Sequence, residues 1–311
     1  MPFRVVSGVP QGSHLGPLLF NIFINDVSCS VKSNLLMFAD DMKIFNRVSQ
    51  SSGYLDLQAS LWEVEKWCVA NAMQLNVSKC VIISFNRGSQ PFLYNYLLNN
   101  TELQRVDSVK DLGVIFTPSL NPQEHINYMS SRALSLLGFI FRSTKDFNSP
   151  ITSVTLYKSL VRSLLEYGSV IWSPYQRNHI DQLQHVQDRF LRLLGTRLGF
   201  TYRTAPVNEL ANQFGLLPLH HRRQVSDLVA LYKIVNCQLD CPGLLSNIDF
   251  VTPRGTRSRT IFRRRFHTTY YAYHSGLARL LRFGSETAAH VDFFSDSVAS
   301  FKRKVLALHS A

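Results

Sequence analysis

Two short apolar runs, Leu35–Phe38 and Met42–Phe45, stand on either side of Ala39-Asp40-Asp41. Runs this short and this close pair as an antiparallel hairpin, yet the turn between them lacks the Asn-Gly or Asp-Gly that primed hairpin turns favour. The residues at the tip are therefore chosen for something other than turning. Adjacent carboxylates repel one another unless a cation lies nearby, and hard oxygen ligands of this kind suit Mg²⁺. Neighbours in extended backbone point to opposite faces. Asp40 is accordingly expected to be the principal metal ligand, with Asp41 serving the turn or a second ion.

The chain around the hairpin reads as a mixed unit. The loop Ser7–Gly16 is rich in Gly, Pro and Ser, and Pro17 suits the first turn of a helix carrying Leu18, Leu19, Ile22, Phe23 and Val27. Beyond the hairpin, Leu57, Leu61, Val64, Cys68, Ala72 and Leu75 recur at helical spacing, and Val81–Phe85 and Val109–Phe116 read as strands, the latter carrying Gly113. Pro118 and Pro122 then punctuate the chain, and the pattern changes to helices. One stripe runs Ile126, Met129, Ala133, Leu136, Leu137, Ile140, and a second runs Val154, Tyr157, Val161, Leu164, Gly168. A third is Leu183, Val186, Phe190, Leu193, and a fourth is Val225, Leu228, Val229, Tyr232, Val235. The expectation is an α+β fold divided at residues 1–118, 119–200 and 201–311.

Charge separates the two halves. Residues 1–150 hold 12 Lys and Arg against 11 Asp and Glu, whereas residues 151–311 hold 21 against 10, so nearly all of the net +12 lies in the second half. A one-sided basic field favours a polyanionic partner, nucleic acid before anionic membrane, because no strongly amphipathic basic helix stands out. From Phe250 to Ser285 there is no acidic residue. Arg254, Arg257, Arg259, Arg263, Arg264 and Arg265 are interleaved there with Phe262, Phe266, Tyr270, Tyr271 and Tyr273. Arginine pairs with phosphate and aromatic rings stack on bases, which makes this stretch, with Tyr270 and Tyr271, the candidate nucleic-acid interface. The five scattered cysteines do not form a disulfide framework, and Cys237 and Cys241 lack partners for a zinc set. No leader or membrane span is legible, and an intracellular setting, nuclear or cytoplasmic, is expected.

The stretch Ser7-Gly8-Val9-Pro10-Gln11-Gly12-Ser13, continuing through Leu15-Gly16-Pro17-Leu18-Leu19-Phe20-Asn21-Ile22-Phe23-Ile24-Asn25-Asp26, resembles one signature of reverse transcriptases. Phe38-Ala39-Asp40-Asp41 resembles the catalytic hairpin that follows it in that family. Leu75-Asn76-Val77-Ser78-Lys79-Cys80 is similar to the next motif, and Val109-Lys110-Asp111-Leu112-Gly113-Val114 to the primer-grip strand pair after that. The form of the first two is most similar to enzymes of non-LTR retrotransposons, the jockey-like group in particular. Segments such as Leu183–Leu194 and Asn208–Leu219 look like the C-terminal region of those elements.

The resemblance implies a right-hand polymerase that engages an RNA template and a DNA primer. Two Mg²⁺ ions would activate the primer 3′-hydroxyl and steady pyrophosphate. It implies Asp40 and Asp41 as metal-side carboxylates and Lys79 as proton donor or charge partner for pyrophosphate. Gln11, Gly12 and Gly113 would lie on the substrate side, Gln11 at the nascent pair. The family takes a further metal-binding aspartate from a strand upstream of the Pro-Gln-Gly loop, and no aspartate precedes Asp26 here. The expectation is therefore a truncated RNA-directed DNA polymerase. It would comprise a partial palm, a helical thumb-like part and a basic C-terminal region, and would be inactive alone. The alternative is a noncatalytic nucleic-acid-binding protein derived from a retroelement.

Overall fold

A computed structural model of the protein describes residues 8, 12–48, 51–87, 93–147, 149–251 and 261–308. The chain mixes helix and strand and divides into two compact units, residues 1–109 with 117–120, and residues 110–116 with 121–311. Among the described residues no helix is long and apolar enough to cross a membrane.

In the first unit, the helix Gly16–Ile24 begins with Pro near its first turn, and the Ser13 hydroxyl accepts from the Gly16 N–H at 2.9 Å. The strands Asn34–Phe38 and Asp41–Phe45 pair antiparallel with Phe38 opposite Asp41, so the two-residue turn is Ala39-Asp40 and Asp41 already belongs to a strand. Residues opposite one another share a face. Leu35 with Ile44 and Met37 with Met42 therefore turn inward onto Ile24, Val27, Val64, Trp67 and Cys68, while Leu36, Phe38, Asp41 and Phe45 are exposed. A two-stranded hairpin is marginal in water, and this apolar support holds it. Ala39 takes a φ of 52°, a left-handed conformation that an L residue with a Cβ resists.

The supporting helix, Ser51–Ala70, stops earlier than its apolar spacing predicts. Ala72 adopts φ 53°, its N–H bonds Val69 O at 3.3 Å, and the Met73 N–H reaches back to Cys68 O at 2.8 Å. This is a Schellman ending without glycine. Leu75 still packs against the core, from outside the helix. Strand Val81–Phe85 is likewise shorter than expected, only Val81–Ile82 pairing, in parallel, with Gln104–Arg105. The hairpin Leu97–Leu98 with Thr101–Glu102, absent from the sequence expectation, is clamped by Gln58. That buried amide donates to Leu97 O at 2.9 Å and accepts from Leu97 N at 2.8 Å.

The second unit is helical around two cores. Val109–Asp111 and Val114–Phe116 form a hairpin rather than one strand, because Leu112 and Gly113 turn at φ 43° and 88°. The helices Gln123–Ser143 and Arg177–Arg197 pack with the helical run Pro150–Glu166 through Ile126, Ala133, Leu137, Ile140, Val186 and Phe190. Tyr157 stacks on Phe190 at 4.2 Å and donates to Gln187 Oε1 at 2.9 Å, while Gln187 Nε2 donates to Leu217 O. Tyr157–Arg162 is π-helical, and this wider turn puts Leu165, not the expected Leu164, in the buried position. Leu194 similarly replaces Leu193 in the fully buried position. The second core joins Leu219–Val235 to Gly276–Thr287 and Val298–Leu308. At Gly284 an added Cβ would meet Leu231 Cδ2 at 2.4 Å and Phe262 Cε2 at 2.9 Å, so a larger residue there would displace both core side chains.

The turn and the buried histidine each make a measurable difference to stability. Ala39→Gly relieves the left-handed backbone and should raise the unfolding free energy by about 0.5 to 1 kcal/mol in urea titration, the relief exceeding glycine's extra unfolded-state entropy. A loss of stability would contradict the turn geometry. His125 is fully buried; its Nδ1 accepts from the Ile115 N–H at 3.3 Å, and its Nε2 has no partner among the described residues. Burial, aided by Lys110, pushes its pKa down from 6.5 to about 4. The unfolded chain then binds the proton first, so this stability is full above the ordinary histidine value. It should be lost as pH falls from about 6.5 to 4, by up to about 3 kcal/mol at 1.36 kcal/mol per unit. Urea titrations across that window should show a shallower acid slope for His125→Asn, and an unchanged slope would contradict it.

Candidate functional site

The carboxylates sit where the hairpin turns. Asp40 is the second turn residue and Asp41 the first residue of the return strand, and both are exposed. Phe38, opposite Asp41 on the same outer face, is 61% exposed. Beneath the hairpin, the Trp67 indole donates to Asp26 Oδ1 at 3.0 Å, and Phe23 meets the Trp67 ring edge-on at 5.7 Å. Asp26 thus has a structural partner. It ties the segment after the first helix to the helix that carries the hairpin, a contact that no local sequence pattern announces.

Gly12 lies in a turn with φ 82°, a conformation that favours glycine, and space is open where its Cβ would be. Gln11 lies outside the described residues. Lys79 ends the short 3₁₀ turn Val77–Lys79 and is exposed, its N–H bonded to Asn76 O at 3.0 Å. Gly113 belongs to the second unit. Its tight turn is closed by Tyr167, whose hydroxyl donates to Leu112 O at 2.9 Å and whose Cε1 would lie 3.0 Å from a Cβ at Gly113.

Arg254, Arg257 and Arg259 lie outside the described residues. Arg263, Arg264 and Arg265 are exposed, but the acid-free stretch is answered by the carboxylates just beyond its ends. Arg265 pairs with Asp249 at 3.1 Å and Arg264 with Glu286 at 3.5 Å. Arg279 is buried in a bidentate bond to Asp227, at 2.8 and 3.2 Å, and also donates to Val170 O at 2.7 Å. It is a packing residue, not a surface cation.

The aromatics form a surface group. Tyr270 is 73% exposed and Phe266 91% exposed, while Tyr271 is half-buried. Tyr175, from outside the basic stretch, stacks on His274 at 4.3 Å and meets Tyr270 edge-on at 5.7 Å. Arg282 lies over the Tyr273 ring at 4.3 Å. Only the tertiary fold brings Tyr175 here, so no local sequence pattern could have found it.

The donor chemistry at Asp40 and Asp41 suits a hard divalent cation, but the ligand number does not complete a site. Among the described residues no group of three His, Cys, Asp or Glu side chains is placed to hold a metal ion. Two neighbouring carboxylates cannot bridge a pair of ions from opposite sides.

Residues 2–140 match the family described as reverse transcriptase (RNA-dependent DNA polymerase). The chain is 28% identical over 201 residues to a probable RNA-directed DNA polymerase from transposon X-element of Drosophila melanogaster, covering 61% of this chain and 22% of that protein. It is 25% identical over 200 residues to the RNA-directed DNA polymerase from mobile element jockey of Drosophila funebris, covering 60% and 22%. Over 183 residues it is 24% identical to a retrovirus-related Pol polyprotein from type-1 retrotransposable element R1 of Bradysia coprophila, covering 54% and 17%. The chain spans about a fifth of the length of the first two, at 22%. No solved structure matches the chain. Four motifs in family order, an Asp-Asp hairpin tip and this similarity converge: residues 2–140 match the reverse transcriptase family, and the chain is similar to the RNA-directed DNA polymerases of jockey-like non-LTR retrotransposons.

Proposed function

We propose that the chain is the palm-side and thumb-side part of an RNA-directed DNA polymerase that holds an RNA template and a DNA primer. The observation that carries this reading is the exposed Asp40-Asp41 pair at the turn of a hairpin whose other face is packed on a long helix. Nucleotidyl transfer joins a primer 3′-hydroxyl to an incoming nucleotide and releases pyrophosphate, chemistry that divalent ions assist. In this reading Asp40 and Asp41 supply part of the carboxylate set. Lys79 offers a mobile charge to the leaving group, and Gln11 and Gly12 border the nascent pair. In this reading the chain by itself binds nucleic acid without extending a primer.

The second unit is the nucleic-acid-holding part in this proposal, with Tyr270, Phe266 and Arg263 facing solvent for base stacking and phosphate contact. Arg264 and Arg265, already ion-paired, contribute less than their sequence spacing suggests. The test combines anisotropy on a labelled single strand with a primer-extension assay on an RNA template. Tyr270→Ala should weaken single-strand binding by about 1 to 3 kcal/mol and leave the salt slope unchanged, because stacking releases no counterions. No extension product should appear with Mg²⁺ or Mn²⁺. Robust extension that disappears in Asp40→Ala would refute the incomplete site, and unaltered affinity in Tyr270→Ala would remove the aromatic surface from the reading.

A further inference from the structure

The helical run after Pro150 widens into a π-helical segment at Tyr157–Arg162 before closing at Ser163–Glu166. Insertions of this kind disturb regular bonding and recur at functional sites. Here the run carries Lys158, Arg162 and Glu166 at four-residue steps, and Arg222 joins them from the helix Leu219–Val235. Arg222 grips Glu166 through two nitrogens, Nη2 at 2.9 Å, and Arg162 Nε lies 3.9 Å from Glu166 Oε1. Lys158 has no carboxylate partner among the described residues and donates to Phe214 O at 3.3 Å.

One carboxylate therefore pairs with two of the three cations; its bond to Arg222 raises the pKa of that guanidinium, and the surplus positive charge is felt at Lys158 and Arg162. Burial first, and then neighbouring Arg162 and Arg222, hold the Lys158 ammonium below its usual pKa. Arg162 is shifted down in the same way, by burial and then Arg222. The side chains of Arg162 and Arg222 are 17% and 23% exposed, so solvent reaches them while screening them poorly. Next in the chain, Arg223 is 1% exposed, and its three guanidinium nitrogens find no hydrogen-bond partner among the described residues. Arg264 and Arg265, in contrast, are matched one to one by acids. A half-desolvated cationic excess is best answered by an anion with several acceptor oxygens. A tetrahedral phosphoryl group can take the Arg162 guanidinium, the Arg222 nitrogen that does not bond Glu166 and the Lys158 ammonium together.

We infer that Lys158, Arg162 and Arg222 form a phosphate-binding site at the π-helical segment, taking the phosphodiester oxygens of a bound strand or a free inorganic phosphate. The phosphodiester source rests on the nucleic-acid reading above, and the inorganic source does not. The test uses the full chain, Lys158→Gln and Lys158→Gln/Arg162→Gln. One arm compares thermal midpoints in inorganic phosphate and in chloride at equal ionic strength. The other follows the salt dependence of anisotropy with a labelled single strand.

The parent should be stabilised by phosphate relative to chloride, and the double variant should bind phosphate at least tenfold more weakly. Its slope of log affinity against log salt should flatten by about 0.7 for each strand phosphate that is no longer engaged. Lys158→Gln leaves the ion pairs of Arg162 and Arg222 to Glu166 in place and should give an intermediate effect with the parent's midpoint in chloride. Loss of the phosphate response with an unchanged slope identifies free phosphate as the ligand. A flattened slope, with no phosphate response in the parent, identifies the strand. If the oligonucleotide fails to bind the parent while phosphate stabilises the parent more than the double variant, the nucleic-acid reading fails and the site stands. Equal responses in parent and variants, or no response to either ligand in the parent, would overturn the site.

Discussion

The burial of one face of a hairpin of two five-residue strands against Trp67, Val64 and Cys68 is the constraint from which the geometry of the first unit follows. A strand that slips by one residue turns all its side chains to the other face, so packing Leu35, Met37, Met42 and Ile44 fixes the register. With the register fixed, Ala39 and Asp40 must make the turn and Asp41 must face outward with Phe38. The indole of Trp67 is pinned by Asp26, a hydrogen bond to a charged acceptor worth about 1.5 to 3 kcal/mol. Ala39 absorbs the strain of a turn without glycine, and such strain persists only where surrounding structure over-determines it.

The second unit rests on a different device. Asp227 and Arg279 are both buried, and breaking a buried pair by removing one partner typically costs about 3 to 5 kcal/mol, because the other charge is stranded. Arg279 also caps Val170 O and so links the helix Gly276–Thr287 to the segment before the Arg177–Arg197 helix. The basic character of this half is thus shared among three uses. Arg279 is built into the core, Arg264 and Arg265 are matched by surface acids, and the cluster at the π-helical segment is left with an excess.

Much of this is legible in the sequence, for reasons that can be stated. The hairpin is readable because apolar runs and turn are contiguous, and Ile126, Ala133, Leu137 and Ile140 are buried as their spacing requires. Departures arise where local pattern yields to backbone detail. The Ser51–Ala70 helix ends in a left-handed Ala72 that no glycine announces, and the π turn at Tyr157–Arg162 shifts burial from Leu164 to Leu165. The acid-free stretch misleads because carboxylates at its borders, Asp249 and Glu286, reach back to its arginines. The contacts Asp26 to Trp67, Tyr175 to His274 and Arg222 to Glu166 join residues distant in the chain, so no spacing rule could have exposed them.

The packed hairpin fixes where Asp40 and Asp41 stand, and in the function proposed above this pair attracts a divalent ion. The most direct measurement is Mn²⁺-induced line broadening of backbone amides in the isotopically labelled full chain. At millimolar Mn²⁺ the amides of Ala39 and Met42 should broaden, less in Asp40→Asn than in Asp41→Asn, and not at all when both are replaced. Broadening at these amides that is indifferent to the loss of both carboxylates would contradict the account, as would an absence of broadening in the parent.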